Sequence, residues 1–295
     1  MLSKVAEGVY VIDTGGLGFE RTVACYLVVG DKVALVDNGY ARGFERVLSA
    51  LKEAGVSKLD YIIPTHVHLD HFGATGKLAN HFPEARVIAH KRAVKHVINP
   101  SKVLESAATV FGENVVKSFG ETIPVEEARV EAADDGSELN LGGVSLLFIY
   151  TPGHAPHQMS VMVEDQHILV TADAVFMNFP SFPALIPTTP PPSFNPEEAE
   201  KSLKKLGEMQ PTLLLTPHFG PKEAGETYIQ HNIDRMWRWV REVERLSKEG
   251  RRMDEIVDQL VGLLCSEAGV ENAPPYVISS VRTSVMGLLH LLGRL

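Results

Sequence analysis

An α/β fold followed by an all-helical tail is what this sequence predicts, and three observations predict it. Short apolar runs rich in β-branched residues recur along the first 220 residues. Stretches with apolar positions three to four apart lie between them. Beyond residue 220 only the helical spacing continues.

The elements follow in order. Val9-Tyr10-Val11-Ile12 and Val23-Ala24-Cys25-Tyr26-Leu27-Val28-Val29 read as strands bounded by glycines. Gly30-Asp31 marks a turn, and Val33-Ala34-Leu35-Val36 reads as a buried strand that stops at Asp37-Asn38-Gly39. Residues 41–55 are helical, with Phe44, Val47, Leu48 and Leu51 on one face and Gly55 closing the run. A strand is expected at 61–65, a short helix at 73–81 and a strand at 86–90. Residues 91–119 are helical with a break at Asn99-Pro100. Further strands are expected at 144–150, 167–172 and 212–217. Asn195-Pro196-Glu197-Glu198 opens a helix by cap chemistry, with acids in its first turn. The tail divides into three helices. One carries Tyr228, Ile229, Asn232, Ile233, Met236, Trp237, Val240 and Val243, a second Ile256, Val257, Leu260, Val261 and Leu264, and a third spans 276–293. They are expected to cover the core or to pair subunits as a homodimer.

Chemistry concentrates at the ends of four apolar runs. The run at 61–65 leads into His66-Val67-His68-Leu69-Asp70-His71. His66 and His68 are two apart and project to the same side of an extended backbone. Asp70 and His71 follow at a turn and face a second point. Imidazole and carboxylate are ligands for zinc and similar cations, and so short a stretch cannot wrap one ion with four donors. Two adjacent metals are therefore expected. The runs at 144–150, 167–172 and 212–217 deliver His154, Asp173 and His218 just past their ends. Carboxyl ends of strands are where α/β proteins commonly build sites. His81, His90 and His96 lack ligand spacing and read as structural or surface residues. His157, three residues after His154, is either a support behind the ligands or a solvated side chain.

These motifs resemble the hallmark of the metallo-β-lactamase-fold hydrolases over about residues 9–220. The resemblance implies an αββα sandwich of two mixed β-sheets flanked by helices. Its catalytic domain would span 1–222, with a C-terminal helical extension at 223–295. It implies that His66, His68 and His154 bind a first metal and Asp70, His71 and His218 a second. Asp173 would bridge the two, and Asp37 would support the metal loop from behind. The implied cofactor is two divalent metal ions, zinc first, with iron or manganese as alternatives. His66-Val67-His68 departs from the di-iron flavoprotein pattern. The branch most resembled is the glyoxalase II and lactonase-like binuclear one. However, Ala174-Val175-Phe176-Met177-Asn178-Phe179-Pro180 lacks the Gly-Cys-Gly-Lys-like loop of the glutathione thioesterases.

A hydroxide shared by two metals would attack an acyl carbonyl, with Asp70 and Asp173 as the catalytic carboxylates. The expected reaction is hydrolysis of an ester, thioester or lactone in a small-molecule acyl substrate. The alternatives are a phosphodiesterase or ribonuclease using the helical tail, and a non-hydrolytic metal-binding interaction module. The net charge of −9 disfavours a broad nucleic-acid surface. Cys25 and Cys265 suggest neither a disulfide framework nor a thiolate site. Without an apolar signal core or a spanning segment, a cytoplasmic protein away from membranes is expected. Residues 177–196 hold seven of the eighteen prolines and should be extended and stiff. Phe176, Phe179, Phe182 and Leu185 would line the site mouth, unless this segment is a passive crossover.

Overall fold

The computed structural model describes residues 1–294. Backbone contacts divide these into two compact units. One comprises 1–150, 157–172 and 212–223, and the other 151–156, 173–211 and 224 onward.

The first unit holds both large β-sheets. The seven strands of the first sheet lie side by side in chain order. They are β1 (Leu2–Ala6), β2 (Val9–Asp13), β3 (Ala24–Val29), β4 (Val33–Val36), β5 (Tyr61–Ile63), β6 (Arg86–His90) and β7 (Val130–Ala133). β1 to β4 pair antiparallel and β4 to β7 parallel. The second sheet is built from β8 (Glu138–Asn140), β9 (Ser145–Tyr150), β10 (Met159–Val163), β11 (Ile168–Val170), β14 (Leu213–Thr216) and β15 (Gly220–Glu223). Its spatial order is β15-β14-β11-β10-β9-β8, and only β11 and β14 run parallel. Both sheets are mixed, as the resemblance implies.

Side-chain alternation explains how the first sheet serves two cores. Along β3, Ala24, Tyr26 and Val28 face a core shared with Phe148, Val161, Val170 and Leu215 of the second sheet. Cys25 and Leu27 face the opposite core, where Val47 and Leu51 of α1 (Phe44–Glu53) and Leu78 of α3 (Thr75–His81) pack. Burial pushes the Cys25 thiol well above its usual range. Tyr26 spans the two sheets by donating its hydroxyl to Thr216 O at 2.5 Å. The remaining helices of this unit are α2 (Leu69–Phe72), α4 (Val94–Ile98), α5 (Ser101–Phe111) and α6 (Glu113–Ser118).

The second unit contains a hairpin, β12 (Met177–Phe179) and β13 (Phe182–Ile186), with α7 (Pro196–Glu208), α8 (Glu226–Lys248), α9 (Met253–Ala268) and α10 (Pro275–Leu291). The Asn195 side chain accepts from Glu198 N at 2.9 Å, which is the cap its sequence predicts. The proline-rich segment departs from expectation. Phe176, Phe179, Phe182 and Leu185 form no wall at a site mouth. They are buried with Met236, Trp239, Val243, Ile256 and Leu260 in the core of this unit. The reason is chemical. Phe179 pairs with Phe182 across the hairpin, while Pro180 sits in the turn and Pro183 faces solvent where no ladder N–H is needed.

Candidate metal centre

Each ligand-type residue stands where a strand has just ended. β5 ends at Ile63 ahead of His66, β9 at Tyr150 ahead of His154, β11 at Val170 ahead of Asp173, and β14 at Thr216 ahead of His218. α2 carries Asp70 and His71. Its C-terminal end packs tightly against the loop after β4, where a methyl on Gly73 would sit 2.7 Å from Ala41 N and 3.0 Å from Gly39 O.

Four of the five imidazoles share one anchoring pattern, in which one nitrogen engages the protein and the other stays open to a ligand. His71 Nδ1 lies 2.8 Å from Asp37 Oδ2, His154 Nδ1 3.0 Å from Thr188 O, and His218 Nδ1 2.9 Å from Thr22 O. His66 Nδ1 lies 3.1 Å from Thr65 Oγ1. His66 Nε2 then faces His68 Nδ1 at 3.0 Å. Two donors on one tetrahedral zinc, at bonds of about 2.0–2.1 Å, stand about 3.3 Å apart. Asp70 Oδ2 lies 3.6 Å from His71 Nε2 and 3.5 Å from His218 Nε2. The donor atoms of Asp70, His71 and His218 all fall within 4.8 Å of one another. Asp173 Oδ2 lies 3.4 Å from His154 Nε2.

Three trios of these residues are suited to hold an ion: His66 with His68 and His154, His66 with His71 and Asp173, and Asp70 with His71 and His218. Five imidazoles and two carboxylates without a thiolate form a donor set that fits divalent first-row cations. All seven are buried except His68 and Asp70, which are half-buried.

Asp37 supports the loop, as the resemblance implies. It is fully buried at the end of β4, and its Oδ1 accepts from Thr65 N at 2.8 Å while Oδ2 meets His71. Its φ of 58° is left-handed, as is the 48° of Ala172 beside Asp173. Non-glycine residues held there store strain, and such residues cluster at functional sites. The backbone anchors at Thr22 and Thr188 had no signal in the sequence, since any residue type carries a carbonyl.

The remaining histidines divide by environment. His90 is buried and stacked on Tyr150, with centroids 4.5 Å apart and planes at 6°. Burial, ahead of its charged neighbours, lowers its pKa. His157 is half-buried, 6.4 Å from the His66 ring, 6.3 Å from His68 and 6.2 Å from His96. Burial first, then His68 and His96, lowers its pKa to about 3, so the ring is neutral.

Comparison with known proteins follows the same lines. The profile of the Metallo-beta-lactamase superfamily matches residues 18–218. The chain belongs to that superfamily. It is 31% identical over 218 residues to the metallo-beta-lactamase fold-containing protein ST1585 of Sulfurisphaera tokodaii, covering 72% of this chain and 79% of that one. The crystal structure described as the first of an archaeal metallo-beta-lactamase superfamily protein, ST1585 from Sulfolobus tokodaii, aligns with a TM-score of 0.71 at 25% identity. That alignment covers 95% of this chain and 98% of that one. The atrochrysone carboxyl ACP thioesterase of Aspergillus fumigatus is 22% identical over 277 residues, 89% of this chain and 75% of that protein. The superfamily binds divalent metals and consists mostly of metallo-hydrolases, and hydrolase-type chemistry suits the residues described. Among the described residues no helix is long and apolar enough to cross a membrane.

Proposed function

We propose that this chain is a binuclear metallo-hydrolase that cleaves an acyl bond, most specifically a thioester, in a small-molecule substrate. The observation that carries this reading is the orientation of the imidazoles. Each of four rings commits one nitrogen to the protein, and the donors that remain belong to trios suited to an ion. His66, His68 and His154 would hold one divalent cation and Asp70, His71 and His218 the other, with Asp173 as a further carboxylate donor.

When bound, divalent cations would supply Lewis acidity that brings the pKa of water down towards ~7 and polarises the acyl oxygen. The residues of the chain supply the geometry. Asp70 turns Oδ2 to His71 and His218, which leaves Oδ1 to accept a hydrogen bond from the attacking water and orient it. Asp37 fixes the His71 ring, and Thr188 and Thr22 fix those of His154 and His218. The thioester preference is supported by similarity along 89% of the chain to a protein named as an acyl-carrier-protein thioesterase.

The test is a hydrolysis panel on metal-replete protein with acyl thioesters, lactones, a generic phosphodiester and a short RNA, with chelated protein as control. Chelator-sensitive thioester cleavage without phosphodiester cleavage is the expected result. RNA cleavage with inert acyl substrates overturns the proposal. Asp173→Ala or His68→Ala should cut turnover by about a thousandfold or more while leaving circular dichroism unchanged.

A further inference from the structure

One group of polar side chains lies against the metal ligands without belonging to them. His157 lies in the β9–β10 loop and stands 6.3 Å from the His68 ring and nearly parallel to His66, at 20°. Its Nδ1 is buried and makes no hydrogen bond. An unsatisfied buried nitrogen is destabilising, and native proteins keep such groups for a reason. Beyond it comes His96 of α4, 6.2 Å away and half-exposed. Lys95, beside His96, and Lys102, in the first turn of α5, both act electrostatically on the His96 ring.

The two lysines differ from the cations around them. Arg86 pairs with Glu131, Lys91 with Asp134 and Lys117 with Glu113. Among the described residues neither Lys95 nor Lys102 takes part in an ion pair, although the chain has a net charge of −9. Two imidazole rings and two ammonium groups therefore run from His68 towards the surface, and among the described residues none of the four takes part in an ion pair. A lysine without a carboxylate partner acts as a point charge for a carboxylate or phosphate.

We propose that His157, His96, Lys95 and Lys102 form a recognition strip for an anionic group, carboxylate or phosphate, on the substrate whose acyl bond the centre cleaves. The inference rests on the hydrolase reading, and it narrows the substrate to an acyl compound with an anionic handle. His157 gives the substrate a hydrogen bond next to the reacting atoms, and the lysines hold the charge farther out.

The test reads binding, independently of turnover. Three non-hydrolysable thioethers of one alkyl chain are titrated into the full chain by calorimetry at low salt: one neutral, one ending in a carboxylate, one built on coenzyme A. The expected result is about tenfold tighter binding of at least one anionic probe over the neutral one, the scale of two exposed charge contacts. That preference should vanish in the Lys95→Gln/Lys102→Gln double variant and in ~1 M salt. His157→Gln restores a hydrogen-bonding side chain and should bind better than His157→Leu. Lys117→Gln, outside the strip, is the control for a general charge effect. Equal affinity of native protein for neutral and anionic probes overturns the proposal, as does a preference that survives in the double variant. The hydrolase reading fails separately, through absence of chelator-sensitive acyl cleavage, whatever the binding ratios.

Discussion

Asp37→Asn is the sharpest perturbation this centre offers. Asp37 accepts from Thr65 N at 2.8 Å through Oδ1 and meets His71 Nδ1 at 2.8 Å through Oδ2. Asparagine keeps the shape, the Thr65 bond and the left-handed φ of 58°, which it tolerates better than most residues. What changes is the atom facing His71. An amide NH2 cannot accept, so the ring either loses its partner or moves its proton to Nε2. The second outcome protonates the very nitrogen that should coordinate. Losing a hydrogen bond to a charged group costs about 1.5–3 kcal/mol. Removing a partner behind a metal-bound histidine typically lowers metal affinity by about 10–100-fold, equivalent to about 1.4–2.7 kcal/mol. Competition with a chromophoric chelator should show one of two zinc sites weakened by that factor. Thermal unfolding of the metal-free protein should show a loss of no more than ~3 kcal/mol. Zinc affinity within about twofold of native would refute the argument that Asp37 sets the His71 tautomer.

Two other predictions concern stability. Phe182→Ala leaves a cavity in the core of the second unit, where the ring is fully buried, and should cost about 3–5 kcal/mol by denaturant unfolding. An effect under ~1 kcal/mol would mean that the hairpin is peripheral to that core. His90→Phe keeps a flat ring on Tyr150 and removes a titrating group. Its pKa is lowered on folding, chiefly by burial, so the unfolded chain takes the proton first. The stability attached to neutral His90 is thus fully present above its unfolded pKa of about 6.5 and is lost as pH falls towards the folded value. Native protein should therefore lose stability faster than the variant between about pH 7 and pH 5, by at most ~1.4 kcal/mol per pH unit. Parallel profiles would exclude His90 as the source.

What was legible in the sequence follows from how each element is stabilised. β3, β4 and β10 are almost fully buried, and the first two announce themselves by continuous apolar runs. β10, Met159-Ser160-Val161-Met162-Val163, does not, because its methionines are neutral in strand propensity and Ser160 interrupts the apolar run, bonding to Thr171 O eleven residues away. β1, β7 and β8 lie at sheet edges, where exposed side chains leave no clear apolar signal. The ligand residues were legible because coordination demands particular side chains at fixed distances from strand ends. The hairpin at 177–186 was hidden by its prolines. Composition there suggested polyproline character, yet the positions that matter are the aromatic ones between them.

The anchors behind the histidines also differ in what they fix, which yields a graded expectation. A backbone carbonyl only accepts, so Thr188 O and Thr22 O hold the proton on Nδ1 of His154 and His218 and leave each Nε2 lone pair available. A carboxylate does the same for His71. The hydroxyl of Thr65 can donate or accept, so it orients His66 without choosing its tautomer. The opposing donor, His68 Nδ1 at 3.0 Å, shares a metal position with His66 Nε2 in the proposed centre, and coordination there makes the choice instead. Thr65→Val, nearly the same in volume, keeps the backbone N–H that Asp37 needs and removes only the hydroxyl. It should lower zinc affinity by roughly threefold or less, against the 10–100-fold expected at Asp37. The two variants are compared by the same chelator competition. Equal losses would mean that ring orientation alone governs the site and that the placement of protons, on which the Asp37 argument depends, contributes nothing measurable.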